Sequence, residues 1–193
     1  MSAPAALRPQ GCGTNGFVPI EPHGGKAMSQ AFLIRPLEAA DLARIAAIYR
    51  SAIEGLASGH YDAAQRAAWK AVSQNELAFS SRLRASTVLV AAQDRVVGFA
   101  SLYGMDSLDM LYVDPSWARR GAATMLCDMI ETIAHVRGAD LLTADVSDAA
   151  TGFFLKRDYV VGERSHVVRE GARLARTSMR KVLGGQRRSA GTA

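Results

Sequence analysis

The feature that most constrains the fold runs from Thr87 to Ile133, where the spacing of apolar residues changes from that of strands to that of a helix. "TVLVAAQDRVVGFASLYG" reads as two strands joined at Gln93 to Arg95, and "LDMLYV", Leu108 to Val113, as a third, which makes an antiparallel β-meander. Pro115 ends the third strand, since its ring nitrogen cannot donate to a ladder. Two arginines and a lone glycine follow. From Ala122 the residues Leu126, Met129, Ile130 and Ile133 fall on one helical face, and the helix closes near Gly138. The segment commits the chain to a sheet with a helix laid on it.

The flanking sequence extends that layout. A strand at Phe32 to Arg35 is closed by Pro36, and "LEAADLARIAAIYRSAI" places Leu42, Ile45, Ile48 and Tyr49 at helical spacing. After the Gly59 break, Asp62 with Gln65 three residues on forms a capping box that opens a short second helix. Beyond the meander helix come a strand "LLTADV", a short helix "AATGFFLKR", and a closing hairpin turned at Glu170 to Gly171. The order is β, α, α, β, β, β, α, β, α, β, β. It predicts an α/β (α+β) domain with a mixed, mostly antiparallel sheet flanked by helices over residues 31–184, an order that alone fits several folds. Residues 1–30 have Pro and Gly throughout and no period, which reads as a disordered leader, with Met28 as an alternative start. Residues 185–193 read as a disordered basic tail.

Charge and composition exclude several classes. The net charge of +5 is C-terminal: from Glu163 onward there are eight Arg or Lys against two Glu, leaving 15 basic against 16 acidic residues before it. No aromatic residues interleave with the tail arginines Arg187 and Arg188, so a nucleic-acid partner is not indicated; binding through the basic hairpin remains the competing idea. Apolar runs such as "TVLVAA" fall far short of the roughly 20 residues that span a bilayer. No secretory signal pattern opens the chain, so no membrane role and a cytoplasmic location are expected. The two cysteines, Cys12 and Cys127, are too few and too badly spaced for a disulfide framework or a zinc site, and no metal is expected.

Two motifs in order resemble the GNAT superfamily of acyl-CoA-dependent N-acyltransferases. That family's Q/R-x-x-G-x-G/A at the head of its third helix appears as Ala118, Arg119, Arg120, Gly121, Ala122, Ala123, with Ala118 in place of the usual Gln or Arg. Its later N-x-x-A-x-x-F-Y appears as Ser147, Ala150, Phe153 and Phe154. The resemblance covers about Leu33 to Leu183. It implies the GNAT fold, acetyl-CoA as co-substrate, and a diphosphate held at the main chain of Gly121, Ala122, Ala123 and Thr124 beside Arg119 and Arg120. Physical chemistry agrees, because a helix N-terminus offers unpaired N–H groups and partial positive charge, and a glycine admits close approach. An ordinary exposed turn with solvated arginines is the plain alternative. The resemblance further implies that Leu111, Tyr112 and Val113 take the pantetheine arm as an added strand, with Ser147 and Phe154 nearby.

An alkylammonium must lose a proton before it attacks a thioester, so a base is needed. Asp109 shares the side-chain alternation of Leu111 and Val113 in an otherwise apolar strand, and family bases often lie on that face; an Asp merely hydrogen-bonded at a strand end is the alternative. Asp145 is the reserve, and a water chain remains open. Phe154 occupies the position of the family's usual tyrosine acid and cannot donate, while Tyr159 reads as core. For the acceptor, "GLASGHYDAAQRAAW" resembles the YafP-like branch through Tyr61, Gln65, Ala68 and Trp69. Glu54, His60, Tyr61 and Trp69 are the expected acceptor residues, against readings of Trp69 as core and His60 as solvated. Cys127 has no His or Asp spaced to activate it, so no acyl-enzyme is expected. The resulting expectation is transfer of an acetyl group to a small-molecule amine by direct attack in a ternary complex. A catalytically silent CoA-binding module is the alternative, and a homodimer is left open.

Overall fold

The structure is a computed structural model and describes residues 32–184. The expected leader and tail, and Ala31 of the expected domain, lie outside these residues. The sheet has seven strands in the order β1-β2-β3-β4-β5-β7-β6. They are β1 (Leu33–Pro36), β2 (Ser86–Ala92), β3 (Val96–Tyr103), β4 (Ser107–Val113), β5 (Leu141–Val146), β6 (Val160–Arg169) and β7 (Ala172–Val182). The helices are α1 (Leu42–Leu56), α2 (Ala63–Lys70), α3 (Glu76–Arg84), α4 (Ala122–Val136) and α5 (Thr151–Leu155). All neighbouring strands run antiparallel except β4 and β5. The meander, the Glu170–Gly171 hairpin and the mixed sheet stand as expected. Among the described residues no helix is long and apolar enough to cross a membrane.

One element departs from the sequence reading: three helices, not two, separate β1 from β2. The additional α3 is capped by Asn75, whose side chain accepts from the Ala78 N–H at 3.0 Å, and it begins with Glu76 and ends with Arg82 and Arg84, matching the helix dipole. Only Phe79 and Leu83 bury, so its apolar stripe is two residues wide and gives almost no periodic signal.

The sheet separates two apolar layers. On one side α4 lays Ala122, Leu126, Cys127, Ile130 and Ala134 against Leu102, Leu108, Val113, Leu142 and Met179. Met129, expected on this stripe, is exposed, because the buried arc is centred on Leu126 and Ile130 and Met129 lies beyond its edge. Each fully buried Leu or Ile contributes about 1.5–3 kcal/mol. Gly98 in β3 lies close against β4: a Cβ there would meet the Tyr112 carbonyl at 3.0 Å and the Val113 side chain at 3.1 Å. On the other side α1 and α3 pack Ile45, Ile48, Ile53, Phe79 and Leu83 onto Val90, Phe99 and Met110.

What positions the site is the end of the β4–β5 pairing. The two strands match only at Ser107↔Thr143 and Leu108↔Ala144. Beyond that, β5 continues on β7 through Asp145↔Ser178 and Val146↔Thr177, while β4 continues on β3, so the strands part. At the same place β4 carries a bulge: Ser101 faces Met110 and Leu102 faces Leu108, which leaves Asp109 as the extra residue.

Candidate active site

The bulge corrects the expectation for Asp109. Leu108, Leu111 and Val113 face the α4 layer, whereas Met110 and Tyr112 face the α1–α3 layer, so the alternation reverses at residue 109. Asp109 therefore does not share the side of Leu111 and Val113. It points to the α1–α3 side, where Arg82 of α3 holds its carboxylate in a two-pronged fork, with contacts of 2.8 and 2.5 Å. Such a bidentate pair fixes the carboxylate orientation strongly.

The parted strands border two adjacent openings. One, of about 180 Å³, lies between β4 and β5 and is lined by the β4 residues Leu108 to Val113, by Ala144 to Ser147, and by Ala150 and Phe154 near α5. The other, of about 150 Å³, lies on the α1–α3 side and is lined by Tyr49, Arg82, Arg169 and Arg176 among others. Trp69, Leu108, Asp109, Met110, Tyr112, Asp145 and Ser147 border both, and the first opening is lined from both sides of the sheet, by Leu111 and Val113 on the α4 side and by Met110 and Tyr112 on the α1–α3 side. Leu111, Tyr112, Val113, Asp145, Ser147 and Phe154 thus line one opening. Among the described residues, the β5-facing main chain of β4 beyond Leu108 has no strand partner.

At the end of β4, Asp114 accepts from the Ser116 N–H at 3.0 Å and opens a single helical turn through Pro115–Trp117. The chain then passes Arg119 with φ 61° and Gly121 with φ 95° before α4 begins. Gly121 is the α4 N-cap, and no side chain caps this helix, in contrast to α2 and α3, which Asp62 and Asn75 cap. The first N–H groups of α4, those of Ala122, Ala123 and Thr124, thus have no helical partner. A Cβ placed on Gly121 would meet nothing within 4 Å, so open space faces this terminus. Arg119 and Arg120 are exposed beside it, and the Arg120 guanidinium stacks 4.9 Å from the Trp117 ring centroid. The glycine thus serves its positive φ as much as it leaves room for a ligand.

Of the expected acceptor residues only Trp69 borders the opening. Tyr61 is 4% exposed and fully engaged: its hydroxyl donates to the Ala175 carbonyl at 2.9 Å and accepts from the Asp148 N–H at 3.0 Å. It fastens the α1–α2 loop to β7 and to the β5–α5 loop. Glu54 is exposed and pairs with Lys70 and Arg66, and His60 is exposed and borders neither opening. Gln65 completes the capping box with Asp62, and also donates to the Arg173 carbonyl at 2.9 Å.

Titratable groups in the openings divide clearly. Burial pushes the Tyr49 phenol up to about 12 and raises that of Tyr112 well above its ordinary value, so both stay protonated at neutral pH. Asp145 is half-exposed on β5 and pairs with Arg176 at 2.8 Å. Cys127 is fully buried, with its thiol pushed up to about 12 by burial, and its sulfur lies 3.9 Å from the Tyr159 hydroxyl. A thiol so placed is no nucleophile. Tyr159 is core, as the sequence indicated. The residues that sequence reasoning missed are Tyr49 as a wall and Arg82, Arg169 and Arg176 as charges. Arg82 could have been found only through α3, and the two hairpin arginines only through the strand order that sets β7 beside β5.

The acetyltransferase (GNAT) domain family matches residues 56–183. The uncharacterized N-acetyltransferase YafP of Escherichia coli (strain K12) is 31% identical over 140 residues, covering 72% of this chain and 88% of its own. A GCN5-related N-acetyltransferase from Rhodopseudomonas palustris has a crystal structure with TM-score 0.78 and 42% identity, covering 79% of this chain and 96% of that one. YncA of Salmonella typhimurium, solved with its cofactor acetyl-CoA, shares the fold at TM-score 0.55 and 23% identity, covering 79% of this chain and 94% of its own. The chain belongs to the GNAT family of N-acetyltransferases.

Proposed function

We propose that this protein transfers the acetyl group of acetyl-CoA to the amine of a small molecule, by direct attack in a ternary complex. The observation that carries the reading is the opening between β4 and β5, which reaches both sides of the sheet and shares part of its wall with a cavity on the α1–α3 side. Two reactants can then meet at one point from opposite faces. A cavity of about 150 Å³ is of the size that takes a benzene-sized molecule, which suits a small acceptor. The fold relative solved with acetyl-CoA supports that co-substrate.

The residues fit the group. The uncapped α4 terminus at Gly121, Ala122, Ala123 and Thr124, with Arg119 and Arg120 beside it, would hold the diphosphate. The unpaired main chain of Leu111, Tyr112 and Val113 would receive the pantetheine arm, and one N–H there would stabilise the developing oxyanion. Ser147 and Phe154 line the same channel. When bound, acetyl-CoA supplies a thioester carbonyl open to nucleophilic attack. Asp109 borders both openings and takes the amine proton in this reading, with Asp145 as the second carboxylate. The Arg82 fork uses one lone pair on each Asp109 oxygen and leaves another available. Phe154 has no proton to give the departing thiolate, which with an ordinary thiol pKa near 8.5 is protonated by water. No covalent enzyme intermediate is involved, given the burial of Cys127.

The test is to incubate the protein with acetyl-CoA and a panel of amines, reading free thiol and the mass of the product together. Amine-dependent thiol release with an acetylated product is expected. Binding of CoA without release for any amine would overturn the reading in favour of a silent CoA-binding module.

A further inference from the structure

We propose that the acceptor amine also carries an anionic group, a carboxylate or a phosphonate, and that Arg169 binds it. The inference rests on the acetyltransferase reading above and narrows it to a substrate class. Three arginines line the cavity on the α1–α3 side, Arg82, Arg169 and Arg176. Arg82 is matched by Asp109, at 2.8 and 2.5 Å, and Arg176 by Asp145, at 2.8 Å. Arg169 has no such partner: among the described residues no carboxylate forms an ion pair with it.

Its place in the backbone is set by a tight turn. Arg169 is the last residue of β6, paired with Ala172 across a turn whose two central residues, Glu170 and Gly171, have φ of 46° and 77°. Left-handed values at both positions make a tight two-residue hairpin turn, which sets the direction of the adjoining strand end. Arg169 is partly buried, and its charge reaches Tyr49 in the cavity wall, where it favours the ionised phenol. A guanidinium that has lost part of its hydration without gaining a counter-ion favours any anion that can enter.

The charge balance leads to the same acceptor. Two matched pairs and one unmatched arginine leave the cavity with one positive charge in excess. An amine in its reactive neutral form that bears one carboxylate brings the complementary charge. The planar guanidinium offers a fork to two carboxylate or phosphonate oxygens, fixing the far end of the acceptor and aiming the amine toward Asp109 and the β4–β5 gap. A neutral amine leaves Arg169 unmatched, and a polyamine adds repulsion.

The test compares β-alanine, 2-aminoethylphosphonate and an α-amino acid, each against its neutral amide or ester, as kcat/KM for acetyl transfer corrected to the fraction of free amine. The same series is run on Arg169→Gln, with the CoA-induced rise in melting temperature measured for both proteins. The expected result is at least a tenfold preference for the anionic member of a pair, most of it lost in Arg169→Gln while the CoA shift stays unchanged. Neutral members that react as well as their acids, or a preference that survives Arg169→Gln, overturn the inference. A wild-type protein that gives neither a CoA shift nor turnover fails the acetyltransferase reading, and this inference with it. One that shifts with CoA and acetylates only neutral amines fails this inference alone.

Discussion

Substituting Gly121 separates two effects that meet at one atom. Its φ of 95° is left-handed backbone, and nothing lies within 4 Å of an added Cβ. Gly121→Ala therefore introduces strain without a clash, worth about 1–2 kcal/mol, or roughly 2–8 °C in melting temperature for a domain of this size. Gly121→Glu adds to the same strain a carboxylate at the mouth of the uncapped helix. A like charge at about 4–8 Å from a phosphate, at an effective dielectric constant of about 20–40, costs roughly 1–4 kcal/mol, which weakens binding about fivefold to several hundredfold. Isothermal titration with CoA on wild type and both variants reads the difference. Gly121→Ala should be less stable and bind CoA nearly as well, and Gly121→Glu should be equally destabilised and bind much more weakly. Equal CoA affinity in the two variants would refute the phosphate site at this helix, because the added charge would then face only solvent.

Other consequences follow from the same geometry. Asp109→Asn should lower turnover about a hundredfold with acetyl-CoA affinity unchanged, and the deficit should shrink as pH rises and free amine becomes abundant; a pH-independent deficit in rate profiles would make the Arg82 fork purely structural. Tyr61→Phe removes a hydroxyl bonded to Ala175 and Asp148 and leaves both partners short, costing about 1–3 kcal/mol with little change in acceptor KM, as thermal melting and kinetics will show. In a Cys12→Ser background, Cys127 should resist iodoacetamide at pH 8 in the folded protein and react on denaturation, followed by mass spectrometry. The Tyr49 phenol is raised from 10.0 to about 12 by burial, so its contribution to stability is complete below pH 10 and falls as pH climbs toward 12; denaturant titrations across that range should show the loss, smaller in Tyr49→Phe.

What could be read from the amino acids was decided by periodicity. The meander, α4 and the closing hairpin were legible because their buried residues repeat along the chain with turn residues between them. The motif around Gly121 was legible for the same reason, since strand, proline, glycine and amphipathic helix stand in line. Asp109 shows the limit. "SLDMLYV" reads as simple alternation, yet the bulge depends on how β3 pairs with it, a property of two strands rather than one. Helix α3 escaped because two buried apolar residues in nine make too faint a stripe. Tyr61 was read as a contact for the acceptor, whereas its hydroxyl is consumed by main-chain groups 114 and 87 residues away in sequence. Arg169 gave no local signal at all, because only the pairing of β6 with β7, and of β7 with β5, brings it to the opening.

A crystal structure of the protein with acetyl-CoA tests the central claim most directly. The account predicts the pantetheine arm between β4 and β5, with the thioester oxygen within hydrogen-bond distance of a main-chain N–H in Leu111 to Val113. It also predicts the diphosphate against the N–H groups that follow Gly121. A complex with the thioester outside the β4–β5 gap, or with the diphosphate bound away from α4, would contradict it.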